Sequence, residues 1–314
     1  MKRTLLLYLA SGLLVCCACA RMAFGQNSFP LADLMPLARG GGLGGQALAG
    51  DLLAAGIDPT VASGDRLGVE LAAGSHVLDL SWGAAGLRFH ALEHSFAVVL
   101  STLSYGSQLR TDFDDRLGIF GGSFTPSDWN VSLATVVLRE DASVVGVGAT
   151  FSFAQLDDAS ALGLAGAVAV KQRFGGLEIR GGLSNVGAVF SPFEGEEGTR
   201  MPARLRTGAA YTLPGLPGSR WEFSGEVLYR FGDESLGWGI GTEWRPLPET
   251  ALRIGLSGGE GGVALSDGVL SDLGFTAGFS WQFSDWRLSY VYRPGGVLGN
   301  GHLMAVGWSL GSLK

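Results

Sequence analysis

Residues Leu273–Arg293 read LGFTAGFSWQFSDWRLSYVYR. Up to Phe283 the large apolar residues hold odd positions: Leu273, Phe275, Ala277, Phe279, Trp281 and Phe283. Beyond Ser284-Asp285 they hold even ones: Trp286, Leu288, Tyr290 and Tyr292. Thr276, Ser280 and Gln282, then Arg287 and Ser289, take most of the places between. Period two is the mark of strands with one apolar and one polar face. The break at Ser284-Asp285 fits a tight hairpin turn. Strands of about ten residues are long for a soluble sheet, so the solvent of the aromatic face decides the fold.

The same pattern runs from about Arg66 onward. Trp221, Phe223, Gly225, Val227, Tyr229 and Phe231 alternate with Glu222, Ser224, Glu226 and Arg230. Met304, Val306, Trp308 and Leu310 alternate with Leu303, Ala305, Gly307 and Ser309. Turn signals separate the runs at Asp157-Asp158, Gly175-Gly176, Pro214–Gly218, Gly232–Glu234, Pro246–Pro248 and Gly258–Gly262. Counting runs between such signals predicts about 14 strands. No linker or change of composition divides residues 66–314.

The chain has 51 glycines, and its charged fraction of 16% falls below the roughly 25% of an average soluble domain. Glycine recurs inside apolar alternating runs, as in Leu236-Gly-Trp-Gly-Ile-Gly-Thr242. On one strand face it marks bends or crowded packing, and inside a closed barrel it leaves room.

The first residues, MKRTLLLYLASGLLVCCACARMAFGQ, carry Lys2 and Arg3, an apolar run to Ala20, and Ala23-Phe-Gly25. They predict a signal peptide over residues 1–25 with the mature chain starting at Gln26; cleavage after Ala20 is the alternative boundary. All three cysteines, Cys16, Cys17 and Cys19, lie in that segment, so the mature chain has no disulfide and no thiolate chemistry. Val15 before Cys16 fits a lipidation signal poorly. Removing Lys2, Arg3 and Arg21 leaves 19 of 22 basic residues against 29 acids, a net charge of about −10, and nothing in that balance points to nucleic acid. Beyond the N-terminus no apolar run reaches the ~18 residues of a membrane helix.

An exported chain of long alternating strands fits an antiparallel transmembrane β-barrel of the bacterial outer membrane. Its apolar face meets lipid, and closure satisfies the backbone. The mature chain retains only Lys171 and Lys314 among lysines, whereas the edges of a soluble sandwich carry many. Trp221, Trp244, Trp286, Tyr292 and Trp308 are placed at the membrane interfaces. A charge at Phe279 or Tyr290 is expected to be costly and one at Ser280 much less so. Residues 26–65 alternate weakly and read as loop-rich with one short helix around Ala47–Ala55. Leu43, Leu48, Leu52, Leu53 and Ile57 need burial there, each gaining roughly 1.5–3 kcal/mol. The glycines Gly40–Gly42, Gly44 and Gly45 permit tight turns, so the segment is expected to fold into the lumen as a plug, with 66–314 supplying the strands.

Three blocks in order resemble the PorV/PorQ family of outer-membrane proteins, chiefly its PorQ side, whose barrel is similar to that of long-chain fatty-acid transporters. The first is Ala38-Arg39-Gly40, Leu43-Gly44-Gly45, Asp51 and Asp58-Pro59, with Asp58 and Thr60 where the family has asparagine and alanine. The second runs from Tyr105-Gly106 to Gly122-Ser-Phe124-Thr-Pro-Ser127-Asp128-Trp129, and the third holds Asn185, Gly187, Pro202, Gly208 and Tyr211. The likeness spans most of residues 38–213; the chain ends without the terminal Phe common in such barrels. The resemblance implies a non-enzymatic accessory or carrier role in type IX secretion or surface attachment.

Motifs for chemistry are isolated. His90-Ala-Leu-Glu93-His94 matches a zinc-protease pattern that requires a helix, but its apolar alternating context reads as strand, with His90 and His94 on one face. Gly255-Leu-Ser257-Gly-Gly259 needs a following helix to be a nucleophile elbow and is followed by glycines. Gly42–Ala47 lacks the preceding strand of a dinucleotide loop, and Glu194, Glu196 and Glu197 lack the spacing of a Ca²⁺ loop. No catalytic, metal or cofactor residue is assigned. The expected partners are outer-membrane lipid and a secreted protein or secretion component. The candidate contact loop is Phe190, Phe193, Glu194, Glu196 and Glu197, an acidic-aromatic mix suited to a basic or amphipathic partner. An uptake channel for hydrophobic small molecules such as fatty acids is the alternative function. A lipid hydrolase using His90 or His302 with a nearby serine is a third.

Overall fold

A computed structural model describes residues 37–75, 80–111, 116, 121–193, 201–214, 219–232, 234–259, 273–294 and 300–310. The proposed signal peptide lies outside them. After a short helix α1 (Ala38–Gly42) and 3-10 turns at Ala47–Ala49, Leu52–Ala54 and Pro59–Ser63, the chain is strand. The strands are β1 (Gly68–Ser75), β2 (Ser81–Ala91), β3 (His94–Ser104), β4 (Gln108–Leu109), β5 (Ser123–Phe124), β6 (Ser127–Arg139), β7 (Ser143–Leu156) and β8 (Ala159–Phe174). They continue as β9 (Leu177–Ser191), β10 (Arg204–Pro214), β11 (Arg220–Arg230), β12 (Ser235–Arg245), β13 (Thr250–Gly258), β14 (Gly274–Phe283), β15 (Trp286–Pro294) and β16 (Asn300–Ser309).

β4 and β5 form a small separate hairpin; the other 14 strands close into one antiparallel barrel. Closure pairs β1 with β16 from Gly68↔Ser309 to Ser75↔His302. The diagnostic stretch is the β14–β15 hairpin, with Phe283 opposite Trp286 and Ser284 in the left-handed conformation that a tight turn requires. Its aromatic residues point outward: Phe279 is 42% exposed, while its neighbours Thr276 and Ser280 are buried on the luminal side. Indoles stack across strands at one rim, Trp221 on Trp244 and Trp286 on Trp308, as interfacial girdles do.

Short turns at Leu92-Glu93, Gly175-Gly176 and Ser284-Asp285 share that rim with the start of β1. The connections that follow β3, β9 and β13 start from the other rim, which also holds the tight turn at Asp157-Asp158. Short turns mark the periplasmic end. Unboiled and boiled protein are expected to migrate differently in detergent gels and to stay with membranes through carbonate washing. Release without a mobility shift would refute a lipid-facing barrel.

Ser280 is less tolerant of charge than the sequence implies. Its hydroxyl accepts from Arg253 Nη1 at 2.7 Å and lies 2.8 Å from Ser289 Oγ, so an arginine there would crowd a buried like charge. The wall also has one irregular seam. β9 pairs with β10 only from Leu177 to Ser184, Asn185 has φ 57°, and the register with β8 shifts between Gly166 and Val168. Beyond Ser184, buried Met201 packs on Ala154, Ala161 and Ala165, while Ala203 packs with Leu183 and Phe231.

Candidate luminal site

Residues 37–63 touch strands all round the ring. α1 contacts β13, β14, β15 and β16, the turn at Leu52–Ala54 contacts β2 and β3, and the turn at Pro59–Ser63 contacts β3, β6, β7 and β8. A segment that touches opposite sides of a closed cylinder lies inside it. Leu43, Leu48, Leu52, Leu53 and Ile57 are all buried, none more than 6% exposed. The single helix expected around Ala47–Ala55 is instead two 3-10 turns, because Gly50 takes φ 88° between them.

Polar contacts fix the segment in place. Asp51 accepts from the backbone N–H of Arg39 at 2.9 Å and of Gly40 at 2.8 Å, closing a loop on itself. The Arg39 guanidinium then bridges to the wall: Nε to Glu243 Oε2 at 3.0 Å, Nη2 to Glu222, and Nη1 to the carbonyl of Ala49 at 2.6 Å. Glu243 also binds Arg253 at 2.6 Å and Arg245 at 2.8 Å. Glu226 accepts from the N–H groups of Ala47 and Leu48 and pairs with Arg206 at 2.8 Å. Arg180 donates to the Leu48 carbonyl, and Gly44 N–H donates to Thr276 Oγ1. Charges this buried are retained in proteins when paired and hydrogen-bonded; here they hang the segment from β9, β11 and β12, and the Thr276 hydroxyl ties it to β14.

The glycine face of β12 and β13 has its reason here. A Cβ on Gly255 would sit 2.1 Å from Gly44 N and 2.4 Å from Leu43 C, and one on Gly241 would sit 2.8 Å from Leu43 Cα. Only bare backbone lets the segment approach so closely. Gly255→Ala is therefore expected to loosen residues 37–64 by roughly 1–3 kcal/mol, as overpacking does. Faster limited proteolysis of the segment in a barrel that stays heat-modifiable would show it; an unchanged digest would refute it.

The chemical motifs are not assembled. Leu92 and Glu93 both have positive φ and form the β2–β3 turn, so His90 pairs with Ser95 and His94 with Ala91. Adjacent positions of a ladder face opposite ways, which corrects the shared face expected for the two histidines. Gly255 and Ser257 lie within β13 rather than at an elbow. His302 sits beside Tyr290 and Tyr292, with Tyr290 Oη 2.8 Å from its Nδ1. Phe190 is exposed on β9, whereas Phe193 packs against the Ala154–Met201 cluster. Glu194, Glu196 and Glu197 lie outside the described residues. Arg39, Glu222, Glu226, Glu243 and Arg253 were not singled out from the sequence as a group. Their signal was charge on strand faces that otherwise carry Gly, Ser and Thr.

Neither a protein-family model nor a curated protein matches the chain. Among solved structures it is similar to the Pseudomonas putida toluene transporter TodX, with TM-score 0.60 and 12% identity over 91% of this chain and 99% of that one. It is also similar to a TodX deltaS2S3 mutant described as a monoaromatic hydrocarbon channel, with TM-score 0.55 and 13% identity over 88% and 99%. At such identity the likeness is one of fold, and the fold is a closed 14-strand barrel of the outer-membrane kind.

Proposed function

We propose that the protein is a non-enzymatic outer-membrane channel for small hydrophobic molecules, with residues 37–64 acting as its luminal plug. The observation that carries this reading is the segment hung on Glu222, Glu226 and Glu243 inside the barrel. A lumen crossed by packed chain does not suit a wide aqueous pore, but it suits a narrow path that opens when the segment shifts. The similarity to the toluene transporter barrel supports the same substrate class; fold alone does not fix a cargo. Uptake of labelled toluene and of a fatty acid is to be measured across membranes with a lipopolysaccharide outer leaflet, since apolar solutes cross plain phospholipid unaided. Both should enter faster with the protein than without it, and planar bilayers should show little ion conductance. Equal uptake, or a large stable pore, would overturn the reading.

A second reading, carrier or attachment protein in type IX secretion, is favoured by the three sequence blocks. Arg39, Gly44 and Asp51 of the first are anchors of the segment. If it holds, deleting Glu194–Gly198 abolishes co-purification of a protein partner while the barrel still assembles. Hydrophobic uptake that survives this deletion favours the channel.

A further inference from the structure

At the short-turn rim, a cavity of about 110 Å³ opens between Gly50 and Leu52 of the luminal segment and the wall of β1, β2, β15 and β16. That is well above the ~10–15 Å³ that admits one water. Arg88 and Arg287 both line it, with Glu70 between them. Arg287 Nη2 binds Glu70 Oε2 at 3.1 Å. Arg88 donates only to main-chain carbonyls, Arg66 at 3.2 Å and Val61 at 3.4 Å, and among the described residues it has no carboxylate at ion-pair distance. Gly64 makes the room for its guanidinium: a Cβ there would sit 2.2 Å from Arg88 Cζ. Glu70 Oε1 is buried without a hydrogen-bond partner, the Leu52 N–H being a main-chain donor near the carboxylate. The fourth charge lining the cavity, Asp285, is in an exposed turn, where water screens it.

We propose that this cavity binds a protonated phosphate group, either free phosphate or a phosphomonoester. The two kinds of unmet demand at the site are opposite. Arg88, and the remaining N–H groups of Arg287, call for oxyanion acceptors, which guanidinium forks bind well. Glu70 Oε1 calls for a donor. Hydrogen phosphate supplies both, its P–O⁻ accepting from the arginines and its P–OH donating to Glu70; a phosphomonoester, with a second pKa of about 6, does so as its monoanion. Sulfate and carboxylates are unprotonated at neutral pH and would turn a bare oxygen toward the carboxylate. The site therefore discriminates by a proton.

Calorimetric titration of the full-length protein in detergent, in phosphate-free buffer, tests this with inorganic phosphate and sulfate as probes. Phosphate is expected to bind at least ~10-fold more tightly than sulfate, the scale set by a buried polar group left unsatisfied. Glu70→Gln, which can itself donate, is expected to erase that preference. Arg88→Gln should weaken both anions at least ~10-fold, and Arg88→Lys should restore part of the loss. Heat-modifiability of each variant serves as the folding control. No phosphate binding by the wild type at tens of millimolar, equal binding of the two anions, or phosphate binding unchanged in Arg88→Gln would each overturn the proposal. Competition separates the sources. Displacement of phosphate by glycerol 3-phosphate supports a soluble phosphomonoester. Displacement only by phosphatidate-containing bilayers supports a lipid head group, and displacement by neither supports phosphate itself.

Discussion

Glu243→Ala is expected to unseat the luminal segment and raise the conductance of the barrel. Glu243 is the hub of the clamp: one carboxylate, buried on the luminal face of β12, holds Arg39, Arg253 and Arg245. Its loss leaves Arg39 and Arg253 as like charges with no shared counter-ion between them. Breaking a buried pair from one side costs on the order of 3–5 kcal/mol, because the partner charge stays desolvated. Arg245, over a third exposed, adds little to that. The segment relieves the penalty by withdrawing Arg39 into water, since Arg253 is fixed in the wall. Glu243→Gln keeps one acceptor oxygen and should do less harm. Arg39→Ala should be milder still for the wall, because Glu243 keeps two arginines. The order Ala > Gln at position 243, read in single-channel conductance and in proteolysis of residues 37–64, separates a clamp from general destabilisation. Unchanged conductance and digestion in Glu243→Ala would sink the idea.

How far the sequence carried the fold depends on which physical signal each part used. The β14–β15 hairpin and the turns at Asp157-Asp158 and Gly175-Gly176 were legible because a lipid-facing strand must alternate, and turn residues must punctuate it. The β2–β3 turn was not: Leu92 and Glu93 both adopt positive φ, a conformation normally signalled by Asn-Gly or Asp-Gly, so the reversal of His90 and His94 had no marker. The Ala/Leu-rich run after Gln46 reads as helix by propensity, yet Gly50 in the left-handed region and the backbone demands of Glu226 on Ala47 and Leu48 break it into single turns. The clamp was invisible for a different reason. Glu222 and Glu243 pair directly across β11 and β12, where like charges are unfavourable. Wall arginines offset each of them, Arg220 at Glu222 and Arg245 and Arg253 at Glu243, and the guanidinium of Arg39, from far away in the chain, bridges the two. Burial of the apolar segment could be anticipated from Leu43 to Ile57; its ionic partners needed the closed barrel.

Phe279→Arg is expected to destabilise the barrel by about 2–4 kcal/mol, and Phe283→Arg by about 0–1 kcal/mol, in reversible unfolding from a bilayer. The two phenylalanines are nearly equal by contact with open surface, 42% and 44% exposed, and both lie on the outward face of β14. In water they would tolerate arginine alike. They differ in depth: Phe279 pairs with Leu252 and Tyr290 in the body of the wall, whereas Phe283 flanks the Ser284-Asp285 turn beside Trp286. Near the rim an arginine reaches the head groups by extending along the interface, and in mid-wall it must drag water or phosphate into hydrocarbon. Phe279→Leu removes the ring without adding charge and should cost little, since lipid tails accept either side chain. Depth dependence at constant exposure is a signature that only a bilayer imposes. Equal costs at positions 279 and 283 would mean that the aromatic face meets protein or water, and the assignment of its solvent would have to be abandoned.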